Sequence, residues 1–216
     1  MVRKMTKKIK KLRLLLITSL VCMLPSVYGL LKWNELPDKV PTHWNFEGVV
    51  DGWSSKGFAV FGLPLMMLGF NLICYIALSM DPKEKNQGEK MKTLAMWICP
   101  IVSLFVCTTS LNGGIGIKGN VTHYAVLFVG IIFVVVGNYL PKCRQNYTVG
   151  IKVPWTLNSE ENWNKTHRFA GFLWTIVGIV MIIAVLLGYY KVIIPCAIVM
   201  AIVPIVYSFI LYKKGV

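Results

Sequence analysis

Histidine and carboxylate side chains that are close in the sequence are the first candidates for chemistry. His43 is followed by Glu47 and Asp51, a grouping that suggests a metal site. The spacing matches no standard zinc motif and HExxH is absent, so we favour a histidine hydrogen-bonded within its own loop. His167 lacks an obvious orienting acid, and no nucleophile–base pair or carboxylate dyad is visible. We therefore expect no catalytic residue, no metal and no cofactor, with a membrane enzyme using His43 or His167 as an alternative.

The composition is that of a membrane protein. Of the 216 residues, 56% are hydrophobic and 15% are charged, whereas charged residues make up near a quarter of a soluble domain. Six mostly apolar segments of about 20 residues are long enough to cross roughly 30 Å of hydrocarbon. They are residues 12–31, 58–79, 91–111, 121–140, 169–188 and 192–211. We therefore expect an all-α fold, a polytopic bundle of six transmembrane helices.

The distribution of basic residues predicts the orientation. Of the 23 Lys and Arg residues, 18 lie in the N-terminal arm, around loop two (81–90), in loop four (141–168) and at the C-terminus. Because basic residues favour the cytoplasmic side, we expect these regions and both termini in the cytoplasm, and loop one (32–57) outside. Topology and attraction to anionic membrane lipids explain the net charge of +14, so we expect no direct nucleic-acid binding.

The first apolar segment follows a basic arm, as in a secretory signal peptide. It is long enough to span the bilayer and shows no A-x-A pattern, so we expect an uncleaved anchor, with cleavage as the alternative. Five of the six cysteines fall in predicted spans and Cys143 falls in a cytoplasmic loop, which gives no disulfide framework. No span carries a charged residue near its centre, which disfavours an ion-coupled transporter.

A few polar and small residues within the spans indicate how the helices pack. We interpret Asn71 as forming an interhelical hydrogen bond rather than a substrate contact. Gly62 and Gly69, and likewise Gly130 and Gly137, are seven residues apart. Each pair therefore lies on one helix face, where a neighbouring helix can approach closely.

Loop one combines turn-forming and aromatic residues. Its prolines and glycines favour turns over a helix. Trp33, Trp44, Phe46 and Trp53 predict a loop that lies at the membrane interface or folds onto the bundle.

Loop four is crowded with asparagines and aromatic residues, which predicts an ordered loop. Asn158 or Ser159 is placed to cap a helix that continues into span five. At 3.6 residues per turn, Trp163, His167, Ala170 and Trp174 lie on one stripe of that helix, with Arg168 near the interface. The stripe is either a docking surface for a cytoplasmic partner or an aromatic belt at the lipid headgroups.

The order of loops and spans suggests how the chain is organised. Its two halves of three spans each carry their longest loop after the first span, so an inverted repeat is one possibility. We divide the chain into four segments. They are 1–57 (basic arm, first span and extracellular HWN/DGW loop), 58–136 (spans two to four), 137–171 (cytoplasmic loop) and 172–216 (spans five and six).

Two of these segments resemble a known family. The outward segment LPDKVPTHWNFEGVVDGWSSKG resembles an N-terminal domain of unknown function found in many bacterial membrane proteins, and residues 137–171 resemble the SdpI family signature. The resemblance implies a multi-pass protein of the bacterial cytoplasmic membrane that gives immunity to a secreted peptide toxin of the sporulation-delaying-protein type. It also implies a possible receptor role, in which the protein holds an autorepressor of the helix-turn-helix type at the membrane.

The two loops supply the candidate contact residues for these roles. Candidates for toxin contact are His43, Trp44, Asn45, Asp51 and Trp53. Candidates for partner docking are Asn138, Asn146, Gly150, Pro154, Trp155, Trp163, His167 and Arg168. Besides the toxin and the autorepressor, we expect membrane lipids as partners. The alternative function is a small transporter or flippase that exports a peptide or a lipid.

Overall fold

A computed structural model describes residues 2–117 and 119–216 of the chain, without the side chains of residues 2–4 and 6–8. Within this part, six helices are long and apolar enough to cross a membrane. These spans are Ile9–Leu31, Phe58–Met80, Glu89–Gly114, Val121–Lys142, Glu160–Leu186 and Tyr190–Lys213. The expected six-helix polytopic fold is therefore confirmed.

The helices follow the apolar segments closely. They are α1 (Val2–Leu31), α2 (Leu63–Met80), α3 (Glu89–Gly114), α4 (Val121–Tyr139), the short α5 (Pro154–Asn158), α6 (Glu160–Leu186) and α7 (Ile193–Lys213). The Ser159 side chain caps α6 by accepting a hydrogen bond from the Asn162 backbone N–H at 3.1 Å. This confirms the predicted cap, and α6 continues from loop four into the fifth span without a break.

The chain forms two compact units. Unit 1 contains Met1–Ser79 and Lys92–Gly119, and unit 2 contains Met80–Met91 and Asn120–Val216. Loop one thus belongs to unit 1. Loop two belongs to unit 2 together with loop four, although the helices on either side of loop two lie mostly in unit 1.

Loop one forms a β-hairpin, which the sequence analysis did not predict. Strand β1 (Lys39–Trp44) pairs antiparallel with β2 (Val50–Ser55), with an irregularity on either side of His43. The Asn45 side chain organises the turn by accepting hydrogen bonds from the backbone N–H groups of Glu47 at 3.0 Å and Val49 at 2.9 Å. The prediction of turns over a helix holds at the asparagine turn, but the two short strands that flank it were not predicted.

The hairpin packs on the end of α3. Ser110 Oγ donates a hydrogen bond to the carbonyl oxygen of Pro41 at 2.6 Å. A β-carbon on Gly113 would lie 3.0 Å from the Pro41 ring and 3.2 Å from Trp44, so glycine allows this close approach. Leu36 and Val40 complete a buried cluster, together with Ala59, Val60 and Leu111. The prediction that loop one folds onto the helices is confirmed.

A hydrogen bond from Asn71 joins α2 to α1 inside unit 1. Asn71 Nδ2 donates to Thr18 Oγ1 at 3.1 Å and to Ser19 Oγ at 3.3 Å, and the Asn71 side chain is fully buried. The predicted interhelical hydrogen bond is confirmed.

In unit 2, α4 and α6 approach each other through paired glycines. A β-carbon on Gly137 would lie 2.9 Å from the carbonyl oxygen of Gly171, and one on Gly178 would lie 2.8 Å from that of Gly130. The predicted close-packing face of α4 is therefore confirmed. The same prediction is wrong for α2, because the space around Gly69 is open to 4 Å.

Candidate functional site

The outer face of the hairpin carries an exposed pair of polar side chains. His43 Nδ1 lies 2.5 Å from Asp51 Oδ1, and both side chains are exposed. This confirms the expected hydrogen bond within the loop. Along β2, Asp51 and Trp53 are both on the exposed side of the alternating strand, and Trp53 is 57% exposed. The tip adds Phe46 and Val49, two further exposed apolar side chains that were not among the predicted toxin contacts.

Two of the five toxin-contact candidates instead build the hairpin. Trp44 is half-buried against Gly113, and the Asn45 side chain holds the turn. The surface available to a ligand therefore consists of His43, Asp51 and Trp53 together with the apolar tip.

A second candidate site is loop four, which begins with a turn built around Asn146. Asn146 Oδ1 accepts hydrogen bonds from the backbone N–H groups of Thr148 at 2.9 Å and Val149 at 2.7 Å. Its Nδ2 donates to the carbonyl oxygen of Arg144 at 2.8 Å. The side chain is buried, so Asn146 stabilises the turn from within.

Two aromatic rings of α6 fill the space beneath this turn. The Trp163 and His167 rings stack with centroids 4.0 Å apart, and both residues are at most 1% exposed. Trp163 Nε1 donates to the carbonyl oxygen of Cys143 at 2.7 Å. His167 Nε2 accepts the backbone N–H of Ile151 at 2.9 Å, so the ring proton must lie on Nδ1, 2.8 Å from the carbonyl oxygen of Trp163.

This burial corrects both interpretations of the helical stripe. A docking surface and a headgroup belt each require exposed rings, but Trp163 and His167 support loop four from inside. Gly150 permits the arrangement, because a β-carbon there would lie 2.4 Å from His167 Nε2 and the backbone φ is +122°. The helical period predicted the shared face, but it could not show that a loop would cover it.

The end of loop four is tied to α7. Trp155 Nε1 donates to Ser208 Oγ at 2.7 Å, and its ring lies 6.0 Å from the Tyr212 ring, centroid to centroid. Asn162 Nδ2 donates to the carbonyl oxygen of Ser208 at 3.0 Å. Ser208 therefore connects the last helix to both α5 and the start of α6.

The residue in contact with loop four that the sequence analysis most clearly missed is Asp81, the first residue of loop two. Its side chain is 6% exposed and lies against loop four. One carboxylate oxygen accepts hydrogen bonds from Thr148 Oγ1 at 2.6 Å, the Tyr147 backbone N–H at 2.9 Å and Gln87 Nε2 at 2.7 Å. The other accepts the Lys83 backbone N–H at 2.7 Å. The sequence feature that could have identified Asp81 is a carboxylate directly after an apolar span.

A second set of contacts between loops two and four centres on Gln145. Its backbone carbonyl oxygen accepts a hydrogen bond from Asn86 Nδ2 at 3.0 Å, and its side-chain oxygen accepts one from Lys83 Nζ. Its Nε2 donates to the carbonyl oxygens of Thr156 at 2.9 Å and Leu157 at 2.8 Å. Loop two therefore reaches α5 through a single buried glutamine.

These contacts set the protonation states of two groups in the loops. Burial by itself would raise the pKa of Asp81, but hydrogen bonds from Thr148, Lys83, Tyr147 and Gln87 outweigh it and hold the pKa below the ordinary 3.8. Burial raises the pKa of the Cys143 thiol to about 11. Asp81 is therefore a carboxylate at neutral pH, and Cys143 is a protonated, unreactive thiol.

The eight partner-docking candidates differ in exposure. Asn138, Pro154 and Arg168 are exposed, Gly150 and Trp155 are partly buried, and Asn146, Trp163 and His167 are buried. A partner on the outside of loop four would therefore meet Pro154 and Arg168 directly, whereas Asn138 lies in α4. The buried three can influence it only by holding the loop in shape.

Comparisons with known proteins find matches to two parts of the chain. Residues 142–208 match the SdpI/YfhL protein family, and residues 20–68 match a domain of unknown function (DUF1648). The first match includes loop four from Lys142 onward, and the second includes the whole hairpin. The chain is also 25% identical over 205 residues to "Immunity protein SdpI" of Bacillus subtilis (strain 168). The alignment covers 92% of this chain and 96% of that protein. No solved structure matches.

Proposed function

We propose, starting from the match of residues 142–208 to the SdpI/YfhL protein family, that this chain is a multi-pass membrane immunity protein that protects a bacterium from a secreted peptide toxin. The observation that carries the proposal is similarity to an immunity protein through nearly the whole of both chains. That similarity includes the hairpin and loop four, the two regions that carry the candidate sites.

The hairpin is the proposed toxin-binding surface. A hydrophobic peptide on the outer leaflet would meet exposed Trp53, Phe46 and Val49, and would find the His43–Asp51 pair on the same hairpin for polar contacts. The hairpin is anchored by Ser110 and by its buried cluster, so little conformational freedom would be lost on binding.

The proposed orientation places the hairpin outside and both termini in the cytoplasm of a bacterial cell. The excess of basic residues in the arm and in loops two and four supports it. The hydrogen bonds between Asp81 and loop four support a topology in which loops two and four lie on one side of the membrane.

Loop four is the proposed docking surface for a cytoplasmic autorepressor. The exposed guanidinium of Arg168 and the exposed Pro154 are available to such a partner, and the buried hydrogen bonds beneath them keep the surface ordered. Arg168→Ala should reduce retention of the repressor at the membrane while leaving toxin protection intact. Loss of both at unchanged protein abundance would contradict this separation of roles.

Survival of a toxin-sensitive Gram-positive strain tests the immunity proposal. Cells that express the protein should survive purified sporulation-delaying peptide, and Trp53→Ala should lower survival at least tenfold because it removes the largest exposed side chain of the hairpin. Tyr189→Ala removes an exposed aromatic ring from another loop and should have no effect. Immunoblots would establish equal expression, and undiminished killing of well-expressing wild-type cells would overturn the proposal.

A further inference from the structure

We propose that Asp81 is a positioning residue that holds loop four in its ordered conformation and couples it to helices α2 and α3. The coupling deepens the proposed function, because it gives the hairpin a physical route to the docking loop. The holding role rests on contacts within unit 2 alone and does not depend on what the protein binds.

The chain connects the hairpin to loop two twice. After β2, residues Phe58–Gly62 form a π-helical turn that leads into α2, and α2 ends at Met80, next to Asp81. Helix α3 starts at Glu89 on the other side of loop two, and its last turns carry the Ser110 and Gly113 contacts to the hairpin. Both helices that enter loop two therefore have the hairpin at their far ends.

Loop two contacts loop four at two independent points. Asp81 receives the Tyr147 N–H and the Thr148 hydroxyl from the Asn146 turn. Asn86 and Lys83 contact Gln145, which in turn bonds the backbone of α5. A displacement of loop two would thus act on the turn and on α5 together.

Because its carboxylate is buried, Asp81 is expected either to keep its hydrogen bonds to loop four or to exchange them for water. Its four described donors are neutral groups, two from each loop. If loop four moves away, the carboxylate loses two of its hydrogen bonds in a buried place and must gain water. Loop four therefore has two distinct arrangements, with Asp81 bonded or with Asp81 hydrated, and a ligand acts by favouring one of them.

The reactivity of Cys143 provides a local measure of loop four. Its buried thiol donates to the carbonyl oxygen of Val149 at 3.4 Å, so it should react only when the Asn146 turn opens. The other five cysteines lie in the helices, and peptide mapping by mass spectrometry distinguishes their products. Open membrane fragments allow a water-soluble maleimide to reach both faces.

The decisive experiment compares the rate of Cys143 labelling in the full-length protein and its variants. Asp81→Asn keeps the side-chain shape but removes the charge, and should raise the rate at least fivefold. Thr148→Val should also raise it, whereas Thr148→Ser retains the hydroxyl and should restore the wild-type rate. Glu47→Gln removes an exposed carboxylate outside loops two and four and serves as the matched control.

A further variant tests the coupling. Gly113→Val presses on Pro41 and Trp44 at the far end of α3 and should change the Cys143 rate at least twofold in the wild-type background. In the Asp81→Asn background, the effect of the same substitution should be smaller, because only the Gln145 contacts then join loop two to loop four.

Each outcome decides one part of the proposal. Unchanged labelling in Asp81→Asn would overturn the holding role, and a Gly113→Val effect of equal size in both backgrounds would overturn the coupling. The assay contains no toxin, so these results are separate from the survival assay. A protein that shows the labelling changes but gives no protection would contradict the proposed function and leave this inference standing.

Discussion

Polar side chains, rather than apolar ones, give loop four its shape. Asn146, Gln145 and His167 each use side-chain donors or acceptors to bond buried backbone groups. A loop without regular secondary structure has many such groups, which explains why asparagines are frequent here. Replacing one of these side chains with an apolar residue of similar size would leave backbone donors or acceptors unpaired, at a cost of about 1–3 kcal/mol for each group.

At the residue scale, the carboxylate of Asp81 predicts a pH dependence of stability. Its pKa in the folded protein lies below the ordinary 3.8, so its contribution is fully present above that value and is lost as the pH falls through the lowered pKa. The thermal midpoint of the wild type should therefore exceed that of Asp81→Asn at pH 7, and the difference should shrink below about pH 3.8. Tryptophan fluorescence of protein in detergent would measure both midpoints. A difference that stays constant down to pH 3 would contradict this assignment.

At the scale of elements, the contact between α4 and α6 sets how unit 2 packs. Because lipid is as apolar as the helix surfaces, close backbone approach takes the place of hydrophobic burial as the source of helix association. Two glycines on α4 and two on α6 allow this close approach. Trp174 Nε1 joins α6 to α7 by donating to the carbonyl oxygen of Met200 at 3.0 Å.

Gly171→Ala should destabilise this contact. The new β-carbon would lie 2.5 Å from the Pro141 ring and 2.7 Å from the carbonyl oxygen of Gly137, two groups with little freedom to move. We expect a loss of about 1–3 kcal/mol, as for other overpacked sites. The matched control is Gly69→Ala in α2, whose β-carbon meets open space. Equal unfolded fractions of the two variants in a titration with denaturing detergent would show that the α4–α6 contact does not determine the stability of the protein.

The elements also show which features the sequence could reveal. Span length and the Ser159 cap are local properties, and both were predicted correctly. The hairpin was missed because the glycine and serines of β2 hide its alternation. The Asp81–Thr148 contact joins positions 67 residues apart, and no local pattern encodes it. Burial of Trp163 was missed for a related reason, because a helical stripe does not identify what packs against it.

At the scale of the whole molecule, an even number of candidate spans predicts that both termini lie on the same side of the membrane. If the basic regions lie in the cytoplasm, a cysteine at exposed Phe46 should react with an impermeant maleimide in intact cells. A cysteine at exposed Tyr147 should react only after the cells are permeabilised. The reverse pattern would invert the proposed topology and place the hairpin away from a secreted toxin.

The position of Asp81 in the chain also has a consequence for biosynthesis. Tyr147 follows Asp81 by 66 positions, so the ribosome completes loop two well before its partner exists. At about 5–20 residues per second, the interval is roughly 3–13 s. During that time the carboxylate is hydrated and loop two has no partner in loop four. Closure of the two loops is therefore a late step of maturation, and a nascent chain halted before loop four would leave loop two open to proteases.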